Sequence, residues 1–250
     1  MLDIADAYAE VQQRLVSVVL DPKIHADTPV PACPAWRVRD VVAHLAGGVV
    51  DVTTGHAPEL YDGFNLFDQW RDQDVAQARD AITARQVAER QGRAIDSLVD
   101  EWRQATEALV PMLRGEQPFP SPFPPYIGGG LVSDLVVHEG DIRAALGLNR
   151  APECAALSLA LAGYGFSLEN RIRILGLPAL VLAYDGKERR LGEGDVGATV
   201  RADRYDLVRT LAGRRTRNQI LALDWEGEPG PYLDILSEYG PVTTSTTGEQ

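Results

Sequence analysis

One segment constrains the fold of this chain most strongly, because residues 131–146 (LVSDLVVHEGDIRAAL) carry two neighbouring stripes at helical spacing. The first stripe is apolar, recurs at i, i+4, i+11 and i+15 as on one helix face, and consists of Leu131, Leu135, Ile142 and Leu146. The second stripe lies beside the first at about 100° per residue and consists of Asp134, His138, Asp141 and Ala145. A surface helix would place its polar stripe opposite its apolar face. We therefore predict a helix whose Asp134 and His138 point toward the interior.

The spacing of Asp134 and His138 allows two interpretations. A carboxylate and an imidazole four residues apart can share one metal ion, because i and i+4 side chains lie one above the other on a helix. The same spacing also suits an ordinary buried hydrogen bond between the two side chains. This segment alone does not separate a metal site from a hydrogen bond.

A second histidine favours the metal interpretation. His44 lies at the edge of the apolar face of a helical pattern over residues 38–50. Two imidazoles and one carboxylate are a common ligand set for zinc or another divalent ion, with positions left open for water or substrate. His25 and His56 fall in connecting segments, where we expect solvated side chains. His44, Asp134 and His138 are therefore the candidate metal ligands.

Composition excludes several classes of partner. The net charge of −12 argues against binding to nucleic acid or to an anionic membrane surface. No apolar run is long enough for a transmembrane helix, and the N-terminal residues lack the basic and apolar regions of a secretory signal. The two cysteines form no disulfide framework and fit a reducing compartment. We expect a cytoplasmic protein with neither a nucleic-acid nor a membrane partner.

The pattern of the chain predicts an α+β fold in two parts. Within residues 1–148, four long helical patterns predict a four-helix bundle with a site between facing helices, and they cover residues 4–20, 38–50, 81–113 and 131–146. A short helix is predicted near residues 66–72. Residues 151–240 predict a small α+β domain, with a helix at 153–173, strands at 179–184, 189–191 and 198–201, and short helices at 205–212 and 216–223. Residues 241–250 are polar, and we expect a disordered tail.

Three segments resemble the mycothiol-dependent maleylpyruvate isomerase family, and they occur in the family's order. The first, VPACPAWRVRDVVAHL at residues 30–45, is similar to the family's Pro-Cys-Pro-Gly-Trp and Val-Arg-Asp-Leu-Val-Ala-His-Leu signature. The second is DLVVHEGDIRAALG at residues 134–147, and the third is GRRTRNQILALDWEGEPGPYLDIL at residues 213–236. The resemblance implies a DinB-like four-helix bundle followed by a small α+β domain.

The resemblance also implies a divalent metal, usually zinc, held by two histidines and a glutamate. Carried over to this chain, the ligands are His44, Asp134 and His138. Asp134 departs from the family's usual glutamate and is one methylene shorter, so the metal fit differs or is lost. Asp141 matches the family's aspartate one turn after the histidine. This carboxylate could orient the ring of His138 as a hydrogen-bond acceptor, and a purely structural role is the alternative.

The implied function is a thiol-dependent isomerase or S-transferase, with mycothiol as co-substrate and a small electrophile as the other substrate. Arg215 is the candidate catalytic residue, because a planar guanidinium suits a carboxylate on that electrophile. Cys33 is expected to pack structurally, rather than to act as a fourth ligand or nucleophile. The alternative function is a non-catalytic metal- or ligand-binding protein of the same fold, which the Asp134 substitution keeps open. We expect a monomer or a homodimer.

Overall fold

The computed structural model describes residues 3–60 and 70–239 of the chain. The helices of the first part are α1 (Ile4–Val19), α2 (Val38–Thr54), α3 (Gln73–Ala88), α4 (Ile95–Leu113) and α5 (Ile127–Ala145). The elements that follow are α6 (Ala155–Ile174), β1 (Ala179–Tyr184), β2 (Lys187–Leu191), β3 (Val196–Arg201), α7 (Arg204–Leu211), α8 (Arg217–Leu221), β4 (Asp224–Gly227) and α9 (Gly230–Leu233). Helices that precede a small sheet confirm the predicted α+β class.

Four helices of the first part form the expected bundle. Helix α1 packs against α4 and α5, and α2 packs against the same two helices. Their inward faces supply the fully buried core side chains, which include Val11, Leu15, Val41, Val42, Leu98, Trp102 and Leu135. The indole Nε1 of Trp102 donates a hydrogen bond to the hydroxyl of Tyr8 at 2.8 Å, so this buried polar atom is satisfied. The bundle brings α2 and α5 side by side.

The prediction of one helix over residues 81–113 is wrong. The structure has two helices there, α3 and α4, with residues 89–94 between them. Val87 and Ala94 are seven residues apart, so the apolar spacing keeps its helical phase across the turn and imitates one helix. Gly92 adopts a φ of 77° in the turn, where L-residues are strained. Of the short helix predicted near residues 66–72, residues 66–69 lie outside the described part of the chain.

The sheet of the second part has the strand order β2-β1-β3-β4. Strand β1 pairs antiparallel with β2 and parallel with β3, and β4 pairs antiparallel with β3. Asp185 and Gly186 join β1 to β2 with φ values of 51° and 68°, as in the predicted two-residue hairpin turn. Strand β4 was not predicted from the sequence, because its four residues are mostly exposed and show no apolar alternation.

A buried ion pair joins α6 to the end of the described chain. Arg171 donates from Nη1 to Oε2 of Glu238 at 2.5 Å, and Ser167 donates to Oε1 at 2.9 Å. The guanidinium of Arg171 also lies 6.0 Å from the ring centre of Trp70. Arg171 is fully buried and Glu238 is nearly so. Each charge therefore depends on the other to offset the cost of leaving water.

The chain separates into two compact units. Within the described residues, the first unit contains 3–60 and 77–159, and the second contains 70–76 and 160–239. The sequence-based domain limits, 1–148 and 151–240, stay a prediction, and the expected disordered tail at 241–250 lies outside the described residues. None of the described helices combines the length and apolarity that crossing a membrane requires.

Candidate metal centre

Helices α2 and α5 bring the three candidate ligands together. Nε2 of His44 lies 3.1 Å from Oδ2 of Asp134, and Nε2 of His138 lies 3.5 Å from Oδ1 of the same carboxylate. One ligand atom from each of the three residues lies within 4.8 Å of the others. Both imidazoles are buried, whereas the carboxylate of Asp134 is 34% exposed. The site therefore has a buried imidazole side and a carboxylate side that solvent reaches.

Asp141 lies where the resemblance placed it, beside the ring of His138. Its Oδ2 is 3.0 Å from Nδ1 of His138, and the carboxylate is fully buried. A carboxylate accepts a hydrogen bond from Nδ1–H, so Nε2 is the ring nitrogen that is left facing Asp134. The geometry is that of an orienting acceptor.

His44 has an outer partner that the sequence analysis missed. Its Nδ1 lies 2.7 Å from Oε1 of Gln86 on α3, and Nε2 of Gln86 donates to Oδ2 of Asp51 at 2.6 Å. Gln86 and Asp51 are both buried. His44, Gly47 and Asp51 stand at i, i+3 and i+7 on one face of α2. That spacing was the available signal for Asp51, but nothing in the sequence pointed to Gln86.

The electrostatics of the site favour positive charge. Burial lowers the pKa of His44, but the nearby charge of Asp134 and the hydrogen bonds to Asp134 and Gln86 outweigh it, so the pKa lies above its ordinary value. With acceptors at both Nδ1 atoms, the two Nε2 atoms and the carboxylate converge on one point, where the nitrogens would offer lone pairs to a metal that replaces the Nε2 proton. Converging electron-pair donors suit a divalent cation. The side chains present therefore fit the metal that the family resemblance implies, and their role as ligands stays a prediction.

The proline-rich connector before α2 forms one wall of the site. The backbone N–H of Val30 donates to the carbonyl of Trp36 at 3.0 Å, which closes residues 30–36 into a loop. The ring centre of Trp36 lies 5.1 Å from that of His44 and 6.1 Å from that of His138. Sγ of Cys33 lies 3.7 Å from Oδ2 of Asp141. The loop thus places an indole against both imidazoles and a thiol behind His138.

Arg215, the candidate catalytic residue, belongs to the second unit. Its Nη2 donates to Oδ1 of Asp206 at 2.7 Å, and its guanidinium lies 6.0 Å from the ring centre of Tyr205. The residue is 6% exposed, and burial lowers its pKa against the opposing effect of Asp206. These contacts fix the direction of the guanidinium. Its role toward a substrate stays a prediction.

Comparison with known proteins agrees with the resemblance read from the sequence. The family model described as "Mycothiol maleylpyruvate isomerase N-terminal domain" matches residues 8–143, more than half of the chain. No curated protein matches the chain.

Two similar solved structures cover nearly the whole chain. The crystal structure of a histidine-to-alanine mutant of the mycothiol-dependent maleylpyruvate isomerase has a TM-score of 0.54 and 14% identity, over 90% of this chain and 91% of that one. A second crystal structure of the mycothiol-dependent maleylpyruvate isomerase has a TM-score of 0.52 and 14% identity, over 85% and 87% of the two chains. At this identity the likeness establishes the fold, and the family match carries the assignment. The chain belongs to the mycothiol maleylpyruvate isomerase N-terminal domain family.

Proposed function

We propose that this protein is a metal- and thiol-dependent isomerase or S-transferase that acts on a small electrophile, with mycothiol as the thiol. The observation that carries the proposal is the convergence of His44, Asp134 and His138 on one point between α2 and α5. The family match and the two similar structures, both of a mycothiol-dependent isomerase, supply the thiol and the type of reaction. The low cysteine content fits a cytoplasmic enzyme that works beside a free thiol.

The side chains of the site have separate tasks in this proposal. His44, Asp134 and His138 would hold a divalent metal, and zinc is the most common ion for this ligand set. When bound, the metal would keep the thiol of mycothiol deprotonated near neutral pH. Asp141 fixes the ring of His138, and the indole of Trp36 keeps water from one side of the imidazoles.

The chemistry of a thiolate explains why isomerase and transferase are proposed together. A thiolate that adds to an activated carbon–carbon double bond forms a C–S bond and leaves a single bond that can rotate. If the C–S bond then breaks, the thiolate departs and the double bond returns in the other configuration. If a proton arrives at the adjacent carbon first, the C–S bond remains and the product is a thioether. We propose that Arg215 binds a carboxylate of the electrophile, because its fork suits two carboxylate oxygens.

One residue supports a second candidate function, a non-catalytic binding protein of the same fold. Asp134 stands where the family usually has glutamate, and the shorter side chain moves the carboxylate away from a metal held by the histidines. A site with a weakly held metal could bind a ligand without turnover. Metal content separates this candidate from the enzyme.

The decisive experiment combines metal content with turnover. Purified protein, supplemented with zinc, is analysed for bound metal and incubated with mycothiol and a panel of electrophiles, with and without a chelator. The proposal predicts about one zinc per chain and turnover that the chelator abolishes. His138→Ala should lose the metal, whereas His56→Ala, a change at an exposed histidine, should keep it. Turnover that survives complete metal removal would contradict the proposal.

A further inference from the structure

We propose that Gln86, Asp51 and Arg85 form a relay that sets the tautomer and direction of the His44 ring. The proposal rests on the proposed function in one respect, namely that His44 binds a metal through Nε2. The geometry of the relay stands independently of the metal. Oε1 of Gln86 lies 2.7 Å from Nδ1 of His44, and its Nε2 donates to Asp51 at 2.6 Å.

The relay works because Asp51 can only accept hydrogen bonds. Its carboxylate faces the amide of Gln86 and therefore selects the amide orientation in which the NH₂ group points toward Asp51. The carbonyl oxygen of Gln86 must then face His44. A carbonyl oxygen accepts from an N–H group, so Nδ1 of His44 keeps a proton, and Nε2 is the nitrogen that can donate to Asp134 or, once deprotonated, bind a metal. Through Gln86, the charge of Asp51 thus determines which ring nitrogen of His44 faces Asp134, although Asp51 does not contact His44.

Arg85 holds the charged end of the relay. Its Nη2 and Nη1 donate to the two oxygens of Asp51 at 2.9 and 3.2 Å, and its Nε donates to Glu59 at 2.7 Å. A buried carboxylate needs such a partner, because its desolvation is otherwise costly. The two-pronged contact also fixes the plane of the carboxylate. Arg85 therefore determines where the acceptor for Gln86 lies.

Gly47 allows α3 to come close enough to α2 for this contact. It lies between His44 and Asp51 on the same face of α2. A Cβ at this position would lie 2.7 Å from Cβ of Gln86 and 2.9 Å from Nη1 of Arg90, closer than side chains normally approach. The absence of a side chain at residue 47 thus lets Gln86 reach both His44 and Asp51.

The two histidines are oriented in different ways, which provides an internal control. His138 faces a carboxylate directly, through Asp141, whereas His44 faces a neutral amide backed by a carboxylate. A change at Gln86 should therefore alter the ring of His44 and leave the ring of His138 as it was. A general loss of structure would change both rings.

The first test uses the metal-free protein, so it does not depend on the proposed function. Long-range ¹⁵N–¹H NMR in mildly alkaline buffer reports which ring nitrogen of each histidine carries the proton. In the unaltered chain Nδ1 of both rings should carry a proton, because each faces an acceptor, and Nε2 of His44 can donate to Asp134 in addition. In Gln86→Met, which keeps the side-chain length but removes both hydrogen-bonding groups, the Nδ1-protonated form of His44 should fall while His138 is unchanged. An unaltered His44 signal in this variant would overturn the relay.

The second test exchanges the two polar groups and does not require Gln86→Met to fold. Asp51→Asn alone removes the charge that fixes the amide, and we expect zinc affinity to fall about 10- to 100-fold, as for other outer-shell changes. Adding Gln86→Glu returns a carboxylate to the relay, with the amide now at position 51 as its donor, so the double variant should recover much of the affinity. Zinc affinities are measured by competition with a chromogenic chelator.

The outcomes distinguish the two proposals. Independent, additive losses in the double variant would overturn the relay. If the unaltered chain binds no zinc, the proposed function fails, and the relay is then judged by the histidine tautomers of the same variants. If zinc binds and Nδ1 of His44 keeps its proton in Gln86→Met, the relay is contradicted and the proposed metal site is not.

Discussion

At the scale of single residues, Asp134 is the proposed ligand whose length would most affect how well the site holds a metal. Its two oxygens lie 3.1 and 3.5 Å from the nearest imidazole nitrogens. The glutamate that the sequence resemblance implies at this position is one methylene longer and could extend further between the same two rings. The carboxylate is also the most exposed of the three groups, so it has room to change length without disturbing the core.

We expect Asp134→Glu to keep or raise zinc affinity, because the longer side chain restores the glutamate ligand that the sequence resemblance implies. Asp134→Asn should lower it, since a neutral amide removes the only negative charge among the three groups. Elemental analysis and chelator competition give both values. Sub-stoichiometric zinc in the unaltered chain, with no gain in Asp134→Glu, would indicate a buried hydrogen-bond network instead of a metal site.

Arg215→Lys should lower kcat/KM for carboxylate-bearing electrophiles about tenfold or more, because lysine cannot reproduce a two-pronged contact to a charged group. Neutral electrophiles should lose less, and metal content should not change. The loss of the Asp206 contact is followed separately through the thermal midpoint. An equal loss for neutral and acidic electrophiles would contradict a role in substrate binding.

The residue types at the site determined what the sequence could predict. His44, Asp134 and His138 could be selected from the sequence because each lies at the margin of an apolar helical stripe, where an unpartnered polar group would be costly. Gln86 was not found, because it lies on a helix with no clear stripe and 42 residues from its partner His44. A single side chain that accepts a hydrogen bond from a histidine on another helix leaves no periodic pattern in the sequence. The contact between Gln86 and His44 is therefore visible only in the folded structure.

At the scale of elements, α3 is the helix whose bounds and separation from α4 could not be predicted from the sequence. Its mixed polar pattern carries little amphipathic signal, and its junction with α4 keeps the helical phase. Helices α1, α2 and α5 were predicted closely, because their apolar faces line the bundle core. Strand β1 was predicted at its observed bounds, since its short apolar run ends at a hairpin turn.

Substitutions at two adjacent glycines of α2 test the approach of α3. Gly47→Ala and Gly48→Ala should each gain up to about 1 kcal/mol of helix propensity. A Cβ at Gly48 meets nothing closer than 3.9 Å, so that variant should keep the gain. A Cβ at Gly47 overlaps Gln86, and we expect a net loss of about 1–2 kcal/mol from overpacking.

Urea unfolding of the two variants gives the free energies, and the ring signals of His44 report the displacement of Gln86. Gly48→Ala serves as the matched control, because both changes add one methyl group to the same helix. Equal stability in the two variants, with an unchanged His44, would show that α3 can shift without cost.

At the scale of the whole molecule, the chain passes between its two compact units more than once. Residues 70–76 belong to the second unit, although the described residues before and after them, 3–60 and 77–159, belong to the first. Within the second unit, Trp70 lies near the guanidinium of Arg171, whose charge is met by Glu238. Distant parts of the sequence thus meet at one buried cation.

Glu238→Gln should destabilise the second unit by about 3–5 kcal/mol, because it leaves the guanidinium of Arg171 buried without a counter-charge. Two units need not unfold together, so amide hydrogen exchange in β1 is the measurement, with the amides of α2 as the internal reference. Replacing both partners, as Arg171→Met with Glu238→Leu, should cost much less. A double variant as unstable as Glu238→Gln would assign the loss to packing rather than to charge.

The Arg171–Glu238 pair also has a consequence for synthesis of the chain on the ribosome. Sixty-seven residues separate the two charges, so α6 leaves the exit tunnel long before its counter-ion has been translated. During that interval a nascent chain gains little by burying the guanidinium, and the cation is best kept hydrated. We infer that the second unit closes late, when Glu238 reaches α6.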